Sequence, residues 1–493
     1  MEYFKSFPMF IVLIPFMSSF LMPMVKGEKT AKAISFAVNF VCLTLAALTF
    51  YYVSVNGMFK YDMGHFKAPW GIEFKVGVFE SAMACIFTLV AFLAAWHSIL
   101  NVQKDIPAEK MPIYYLVFNV FNASICGMTF TNDIFNAYVF IEVSTLAACG
   151  MIVAKDRAQN INAAIKYLVY SSLGSGLILM GIAFIYSITG NLNMDFIGIE
   201  ISKVYREYRG VAMAALGLLT IGIGIKGAMF PFHVWLADAH SSATDVTSAV
   251  ISAVGLKGPA ILLIKVFHTA FGAQIIRESG VLDIVIALGS AGMIMGSVFA
   301  VFQDNIKKMV AYSSIAQMGY VFFGVGLGNT LGFVISIVHM MGHALTKSAM
   351  FLSVGLITEK TNTYSIKGMS GIGRRMPLPL GVFALGALSM IGIPILPGFV
   401  SKWNLCMASI ESKRTGLVAV VLISSILNCL YYIPVLTRGY FKCEAEFGNI
   451  SSSCKSSLAN SMQSVLLVVA MVTLGIFSGR IIELLTLDFS NII

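Results

Sequence analysis

Charged residues are scarce in this chain. Only 12% of its 493 residues are Asp, Glu, Lys or Arg, whereas 58% are hydrophobic and the mean hydropathy is +0.84. Soluble domains are usually about a quarter charged, so a soluble enzyme of this size is excluded because too few charges are present to cover it. Disordered and collagen-like chains are excluded as well, since apolar residues dominate throughout.

Paired cysteines and cofactor motifs are also lacking. The eight cysteines are scattered and no C-x-x-C pair occurs, which excludes a disulfide scaffold and argues against zinc or iron–sulfur ligation. No P-loop, flavin, quinone or Ser-His-Asp signature is present, so no cofactor is expected in this chain. GIGIKG at 222–227 fits G-x-G-x-x-G, but it lies between apolar helical stretches, where glycines favour close helix packing.

Apolar runs of about 20 residues are what the sequence has instead. They predict an all-α polytopic membrane protein with about 14 transmembrane helices. The first run lacks a small-residue cleavage site and is interpreted as a span. The predicted spans are 7–25, 31–55, 79–100, 111–130, 134–153, 163–186, 211–230, 246–270, 281–302, 309–327, 331–357, 378–410, 417–436 and 465–477.

The distribution of Lys and Arg predicts the orientation. The net charge is +9 but contains no long basic block, so nucleic acid is not an expected partner. Loops on the N-terminal side hold 11 basic residues and loops on the other side hold 16. Cytoplasmic loops carry the excess, so both termini are expected outside the inner (cytoplasmic) membrane of the cell.

The six remaining basic residues are all lysines inside predicted spans. A charge at mid-membrane costs between about 3 and more than 10 kcal/mol. Snorkelling near a helix end lowers that cost, and Lys265 is a candidate for it. A desolvated lysine loses its proton, whereas arginine stays charged, so a lysine-only set indicates a proton relay. The six are Lys166, Lys226, Lys257, Lys265, Lys347 and Lys402.

Two of these lysines lie beside predicted helix breaks. Lys226 comes five residues before Pro231, and Lys402 comes five residues after Pro397. Glycine and proline within an apolar run free backbone carbonyls, and such breaks occur where the chain lines a polar cavity. Two matching breaks predict an internal repeat. The alternative is a packing kink with a snorkelling lysine.

Glu142 is the acid of interest because it lies inside the fifth span. A lone carboxylate there should be neutral or paired, and we predict a pair with Lys226. An ion pair whose partners separate changes the pKa of the lysine enough to load or eject a proton. A fixed structural pair is the alternative. Glu80, in the third span, is a weaker candidate because it lies near a helix end.

The eleventh span carries a titratable stripe. His339, His343 and Lys347 are spaced i, i+4, i+8 and therefore line one helix face. Histidine titrates near neutral pH and passes protons through both ring nitrogens, which favours a relay. A metal site at the two histidines is an alternative that lacks a nearby carboxylate. Lys257 in the eighth span is expected to bridge Lys226 to this stripe.

Five stretches of the chain match a known pattern. They are FNAYVFIEV with Glu142, KYLVYSSLGSG with Lys166, IKGAMFPFHVWLADAH with Lys226, GHALTKSAMFLSVG with His343 and Lys347, and GIPILPGFVSKW with Lys402. In these stretches the chain resembles the antiporter-like subunit family shared by Mrp-type cation/proton antiporters, membrane-bound hydrogenases and respiratory complex I. FNAYVFIE looks more like the Mrp D-type and hydrogenase-linked members.

The resemblance implies a fold and a set of site residues. It implies 14 helices with two inverted five-helix repeats and broken helices 7 and 12. The parts would be N-terminal helices 1–3 (1–110), the first repeat (111–270), the second repeat (281–440) and C-terminal helix 14 (441–493). Along a hydrated mid-membrane axis it places Glu142 with Lys226, Lys257 with the histidine stripe, and Lys402. Supporting positions are Lys166, Pro231, His233, Asp238 and Pro397.

The chain departs from the family pattern at two places. The family usually has Ala-Pro-x-Pro after the first broken helix, whereas this chain reads SSATD at 241–245. Asp245 is therefore a candidate ion contact. The third-span region usually carries a Val-Asp step, where this chain has Val76 and Gly77.

The function that the resemblance implies is ion translocation within a larger membrane complex. The ion would be H⁺, with Na⁺/H⁺ exchange as an option. Expected partners are other membrane subunits and, in the redox-driven branch, iron–sulfur or hydrogenase subunits. No redox or hydrolytic site is expected in this chain itself. The alternative is a stand-alone secondary solute transporter that uses the same broken helices.

Overall fold

The computed structural model describes residues 2–441 and 458–490. The first part of the described chain holds α1 (Glu2–Lys5), α2 (Phe7–Leu21), α3 (Glu28–Asn56) and α4 (Val78–Asn101). A first set of helices follows: α5 (Met111–Phe130), α6 (Ile134–Val153), α7 (Ala158–Thr189), α8 (Met194–Val204), α9 (Arg209–Lys226), α10 (Leu236–Ser242), α11 (Asp245–Val250), α12 (Lys257–Lys265) and α13 (Gly272–Ser279).

A second set begins at the ninth predicted span. It holds α14 (Val281–Val301), α15 (Ile306–Gly326), α16 (Thr330–Thr361), α17 (Ile372–Arg375), α18 (Pro377–Ile391), α19 (Pro397–Glu411) and α20 (Leu417–Phe441). The last described helices are α21 (Leu458–Ile476) and α22 (Ser478–Ser490). Each set has five predicted spans. Because five is odd, the predicted spans would start the second set from the opposite membrane face, and the inverted repeat itself stays a prediction.

The length and apolar composition of these helices confirm an all-α, multi-pass membrane protein. Eleven of the described helices are long and apolar enough to cross a membrane, and α21 with α22, bent by 68°, makes a twelfth if the pair is one span. α15 and the pair α18–α19 lie at the two remaining predicted spans. The observed bounds of α5 and α6 coincide with predicted spans 111–130 and 134–153.

Both predicted helix breaks are present. α9 ends at Lys226 and α10 begins only at Leu236, while α18 ends at Ile391 and α19 begins at Pro397. Proline at the first position of α19 is compatible with a helix start, since no backbone donor is needed there. A Cβ at Gly398 would lie 1.8 Å from the Ser389 carbonyl oxygen, so only glycine lets α19 approach α18 this closely.

Several elements were not predicted from the sequence. Strands β1 (Phe59–Asp62) and β2 (Glu73–Val76) form an antiparallel hairpin between α3 and α4. Helix α8 is capped by the Asn193 side chain, which accepts from two backbone amides. The eighth span contains π-helical turns at Ile251–Gly255 and Val266–Phe271. Helix α22 adds a second helix to a C-terminal part predicted to hold one.

Helix α16 lies at the centre of the described bundle. It packs against α4, α11, α15, α18, α19, α21 and α22, and all its residues from Gly332 to Thr358 are buried. The predicted titratable stripe therefore has no lipid-facing side. The glycines of GIGIKG pack closely as predicted, because a Cβ at Gly222 would lie 2.7 Å from the Gly174 carbonyl oxygen of α7.

Candidate functional site

Glu142 and Lys226 form the predicted ion pair. Lys226 Nζ lies 2.7 Å from Glu142 Oε1 and also donates to Thr145 Oγ1 at 2.9 Å. The Ser175 hydroxyl donates to the same Glu142 oxygen. The lysine side chain is 3% exposed, whereas the carboxylate side chain is 29% exposed although it lies in the middle of α6. The ammonium is thus enclosed, and the carboxylate lies at the edge of this chain.

Lys402, at the second break, has a different environment. Its Nζ donates to the carbonyls of Met390 at 2.7 Å and Ile391 at 3.0 Å. These are the last residues of α18, whose carbonyls are free because the helix ends there. The ammonium also lies 5.0 Å from the centre of the Tyr320 ring. Within the described residues, no carboxylate is paired with Lys402.

Lys257 and Lys347 each donate to a serine, Ser252 or Ser313, and Ser252 contacts Ser314, the neighbour of Ser313 on α15. Lys257 donates to the Ser252 carbonyl, and the Ser252 hydroxyl contacts that of Ser314 at 3.1 Å. The neighbouring Ser313 hydroxyl accepts from Lys347, which also donates to the Val310 carbonyl at 3.0 Å and to Tyr432 at 3.3 Å. Both amines are fully buried. In the described part of the chain neither has a carboxylate partner.

The two stripe histidines stack along α16. The ring centres of His339 and His343 are 6.3 Å apart and nearly parallel. His339 Nδ1 contacts the Ser401 hydroxyl at 2.8 Å, next to Lys402 on α19. Both ring nitrogens of His343 are buried without a protein hydrogen-bond partner, and Lys257 and Lys347 lie within electrostatic reach of that ring.

These contacts bring Lys257, the stripe histidines and Lys402 together, but they do not connect this group to the Glu142–Lys226 pair. Lys257, His343, His339 and Lys402 form one neighbourhood. No hydrogen bond or ion pair of the described residues joins Lys257 to Lys226, so the bridging role of Lys257 stays a prediction. Among the same residues, no three His, Cys, Asp or Glu side chains are close enough to hold a metal ion.

Lys166 and Asp238 pair at the surface instead of in the core. Lys166 Nζ lies 2.7 Å from Asp238 Oδ2, and both side chains are about two-fifths exposed. Lys308 approaches the other oxygen of Asp238 at 3.8 Å. Lys166 therefore lies within a span as predicted but is not one of the buried lysines.

The prediction that Lys265 snorkels toward the membrane surface is wrong, because its side chain is buried within the bundle. Its side chain is 7% exposed and lies 3.4 Å from Glu80, and its Nζ also donates to the Thr131 carbonyl at 3.0 Å. Asp488 of α22 lies beside Gly77 and Glu80, since a Cβ at Gly77 would be 2.9 Å from the carboxylate oxygens of Asp488 and 3.1 Å from Glu80 Oε2. Asp488 thus places a carboxylate beside the position where the resemblance leads us to expect one.

Two further buried charged or titratable groups were not predicted. Lys307 lies outside the predicted span 309–327, yet it is fully buried, and its Nζ lies 2.6 Å from Asp245 Oδ1. Asp245, the candidate ion contact, is therefore held by an ammonium of this chain. His240 is fully buried on α10. Both residues lie beside span ends, where sequence position alone does not separate surface from core.

The remaining supporting residues lie at the two breaks. Pro231 follows a cis peptide bond from Phe230. His233 is buried and stacks on the rings of Phe230 and Phe299 at 5.2 and 5.7 Å. It therefore packs in the break and is not part of the lysine–histidine neighbourhood. Pro397 starts α19.

An ion cluster outside the spans joins the hairpin to the first set of helices. Asp195 Oδ1 of α8 lies 2.8 Å from Lys75 of β2, and Asp195 Oδ2 lies 2.7 Å from Lys60 of β1. Burial acts to raise the pKa of Asp195, but Lys75 and Lys60 outweigh it, so the pKa lies below its usual value. The charged carboxylate is the form that ties α8 to the hairpin.

Comparisons with known proteins agree with this arrangement. Residues 131–428 match a family described as NADH:quinone oxidoreductase/Mrp antiporter, transmembrane. The chain is 32% identical to NADH-quinone oxidoreductase subunit N of Desulforudis audaxviator, over 86% of both chains. It is 26% identical to the D-type Na⁺/H⁺ antiporter subunit of Bacillus subtilis, over 90% of this chain and 88% of that one.

A solved structure shares the fold. The Mrp complex from Dietzia sp. DQ12-45-1b contains a chain that superposes with a TM-score of 0.90 at 22% identity, covering 100% of this chain and 98% of that one. The family match includes Glu142, Lys226, the stripe on α16 and Lys402, and it covers more than half of the chain. The chain therefore belongs to the NADH:quinone oxidoreductase/Mrp antiporter family of membrane subunits.

Proposed function

We propose that this chain is an ion-translocating subunit that carries protons along its buried acid, lysine and histidine side chains. The observation that supports this most strongly is the 2.7 Å Glu142–Lys226 pair, which joins the middle of α6 to the broken end of α9. Buried charges are unfavourable unless paired, and those kept inside membrane helices mark ion pathways. A fixed pair would stabilise the bundle, but it would not require the additional buried amines.

The proposed mechanism is stepwise proton transfer. When Glu142 moves away from Lys226, the ammonium loses its counter-charge in a low-dielectric site and releases its proton. Lys257 and the stripe on α16 (Lys347, His343 and His339) accept and pass it, and Lys402 delivers it to one membrane face. Each step transfers one proton from a protonated to a neutral nitrogen. His343, whose ring nitrogens have no protein partner, would complete its hydrogen bonds with water.

The exposure of Glu142 supports a multisubunit complex. Its side chain is 29% exposed in the middle of a helix that runs from Ile134 to Val153. A carboxylate facing lipid at that depth is strongly unfavourable. We therefore propose that another membrane subunit covers this face of α6. The complex would lie in the cell inner membrane with both termini of this chain outside.

The energy source separates two branches of the proposal. One relative is named as a subunit of an NADH-quinone oxidoreductase, and another as a subunit of a Na⁺/H⁺ antiporter. In the first branch, iron–sulfur, hydrogenase or other redox subunits elsewhere in the complex drive H⁺ across the membrane. In the second, H⁺ exchanges for Na⁺. Vesicles that respond to a reductant, or to a Na⁺ gradient, identify the branch.

The test is translocation by the complete complex in sealed membrane vesicles. Lys226→Ala and Glu142→Ala should each abolish proton movement, followed with a pH-sensitive dye, while the complex still assembles. Lys203→Ala is the matched control, because Lys203 pairs with Glu200 on an exposed face of α8. Wild-type rates in both core variants would contradict the relay. Transport of a solute by the purified single chain would favour the stand-alone transporter.

A further inference from the structure

A polar cavity opens at one membrane face between α7, α10 and α15. Its volume is about 530 Å³, and its lining includes Asn162, Lys166, Asp238, Ser241 and Lys308. These residues lie near the start of α7 and α15 and on α10, at the face where α6 ends and α7 begins. A space of this size and polarity holds water.

Helix α10 forms the inner wall of this cavity. Asp238 and Ser241 line the cavity, whereas His240 is fully buried. Residues two apart on a helix point to opposite sides, since each residue turns the helix by about 100°. The His240 ring stacks on Phe351 of α16 with 5.1 Å between ring centres. One short helix thus separates cavity water from the interior next to α16.

The buried imidazole of His240 makes no hydrogen bond to the described part of the protein. Both ring nitrogens are buried without a protein partner. Buried polar atoms in folded proteins are nearly always hydrogen-bonded, to protein or to water. Lys347, Lys307 and Lys257 are the ammonium groups within electrostatic reach of this ring. Packing on Phe351 alone does not require a titratable ring with two unmatched nitrogens at this place.

We propose that His240 carries protons between the cavity and the buried lysines. This rests on the proposed function and adds a residue and an access route to it. One ring nitrogen takes a proton that water molecules relay from the cavity past α10, giving an imidazolium. The other ring nitrogen releases a proton to the neutral amine of Lys347 or Lys257, which leaves a neutral imidazole. The bulk phase loses one proton and the amine gains one, so the step balances.

The first experiment replaces His240 by a residue that hydrogen-bonds but does not titrate. In the assembled complex, His240→Gln should lower proton translocation by about 100-fold, the scale on which removal of a proton-transferring group acts. His268→Gln is the matched control and should keep the wild-type rate, because His268 is a half-buried histidine at the other end of the eighth span. Lys347→Gln is measured in parallel.

The two variants separate failure of this inference from failure of the proposed function. If Lys347→Gln is inactive and His240→Gln is fully active, only the His240 route is overturned. If both are fully active, the proposed relay fails as well. If His240→Gln is slowed about 100-fold, the pH dependence of its remaining rate decides between two roles. A shift of that dependence relative to wild type supports proton transfer by His240. An unchanged dependence supports a structural role and overturns the route.

A second experiment tests the cavity without changing the buried residue. Ser241→Cys places a thiol on the cavity wall, and a bulky methanethiosulfonate reagent attached to it should block translocation, with recovery after reduction. Ser202→Cys, on the exposed side of α8, should be labelled without effect, and the treated parent complex gives the baseline. Full activity of the labelled Ser241→Cys complex would overturn the route even if His240→Gln fails to assemble.

Discussion

The two broken helices hold their lysines in different ways. At the first break, Lys226 faces a carboxylate at 2.7 Å. At the second, Lys402 faces two carbonyl oxygens that the end of α18 leaves free, and the ring of Tyr320. Similar sequence patterns, glycine and proline beside a lysine, thus lead to an ion pair in one half and to a dipolar site in the other.

This difference suggests how a proton could move in one direction. A pair of unit charges about 4 Å apart is worth roughly 4 kcal/mol at an effective dielectric constant of ~20. Within the described residues no carboxylate balances the charge of Lys402, which is stabilised instead by two carbonyl dipoles and by a cation–π contact of about 0.5–2 kcal/mol. On the proposed mechanism, Lys226 holds its proton firmly until Glu142 moves, whereas Lys402 releases a proton more readily. The ion pair loads the path, and the dipolar site empties it.

Removing the dipolar lysine should have the largest effect. In Lys402→Met the last acceptor of the path is lost, so translocation should fall by about 100-fold or more although the Glu142–Lys226 pair is intact. The rate is measured with a pH-sensitive dye in vesicles that contain the complete complex. Lys367→Met, on an exposed loop turn, serves as the control. A rate within about twofold of wild type, far above the loss expected for a proton-transferring group, would show that the second break takes no part.

Removing a hydrogen bond at the Glu142–Lys226 pair, while keeping both charges, should lower the translocation rate less than Lys402→Met does. Thr145→Val deletes the hydroxyl that accepts from Lys226 at 2.9 Å. Such a charged hydrogen bond contributes about 1.5–3 kcal/mol, so we expect a drop of roughly tenfold or more in rate, measured in the same vesicles. Thr220→Val on α9 is matched in size and burial, and its hydroxyl bonds only to the carbonyl of its own helix. Equal rates for the two variants would contradict the assignment.

The aromatic contact at the dipolar site should matter by a few-fold. Tyr320→Leu removes the ring beneath Lys402, which is worth about 0.5–2 kcal/mol, whereas Tyr320→Phe keeps it. Stopped-flow rates of internal acidification should therefore fall in the Leu variant and stay near wild type in the Phe variant. If the Phe variant is the slower one, the hydroxyl and not the ring supports Lys402.

The ion cluster of α8 belongs to the first half of the molecule and should affect stability and not translocation, so its removal should have the smallest effect. Because the pKa of Asp195 is lowered in the folded protein, the cluster contributes stability above the unfolded pKa of about 4 and loses it as the pH falls below that value. Asp195→Asn should lower the melting temperature of the complex by a few degrees at pH 7. That difference from wild type should shrink below about pH 4, and an undiminished difference there would contradict the lowered pKa.

Most of the fold was predictable because apolar run length dictates membrane helices. The bounds of α6 follow from Ile134 and Val153, and the Glu142–Lys226 pair follows from the need to neutralise a lone carboxylate between them. The contacts of Lys307, His240 and Lys265 were not predictable. Each lies near a span end, where the balance between surface and core depends on packing between distant helices. The hairpin and α8 are too short to leave a periodic signal.

Ordered water in the complete complex tests the central claim most directly. A cryo-electron microscopy map in lipid nanodiscs, at a resolution that shows water, would reveal what lies between the buried amines. The proposed relay predicts water within hydrogen-bonding distance of both ring nitrogens of His343, and an unbroken file from Lys257 to Lys402. Dry apolar packing around these groups, with the amines turned toward the lipid headgroups, would contradict it.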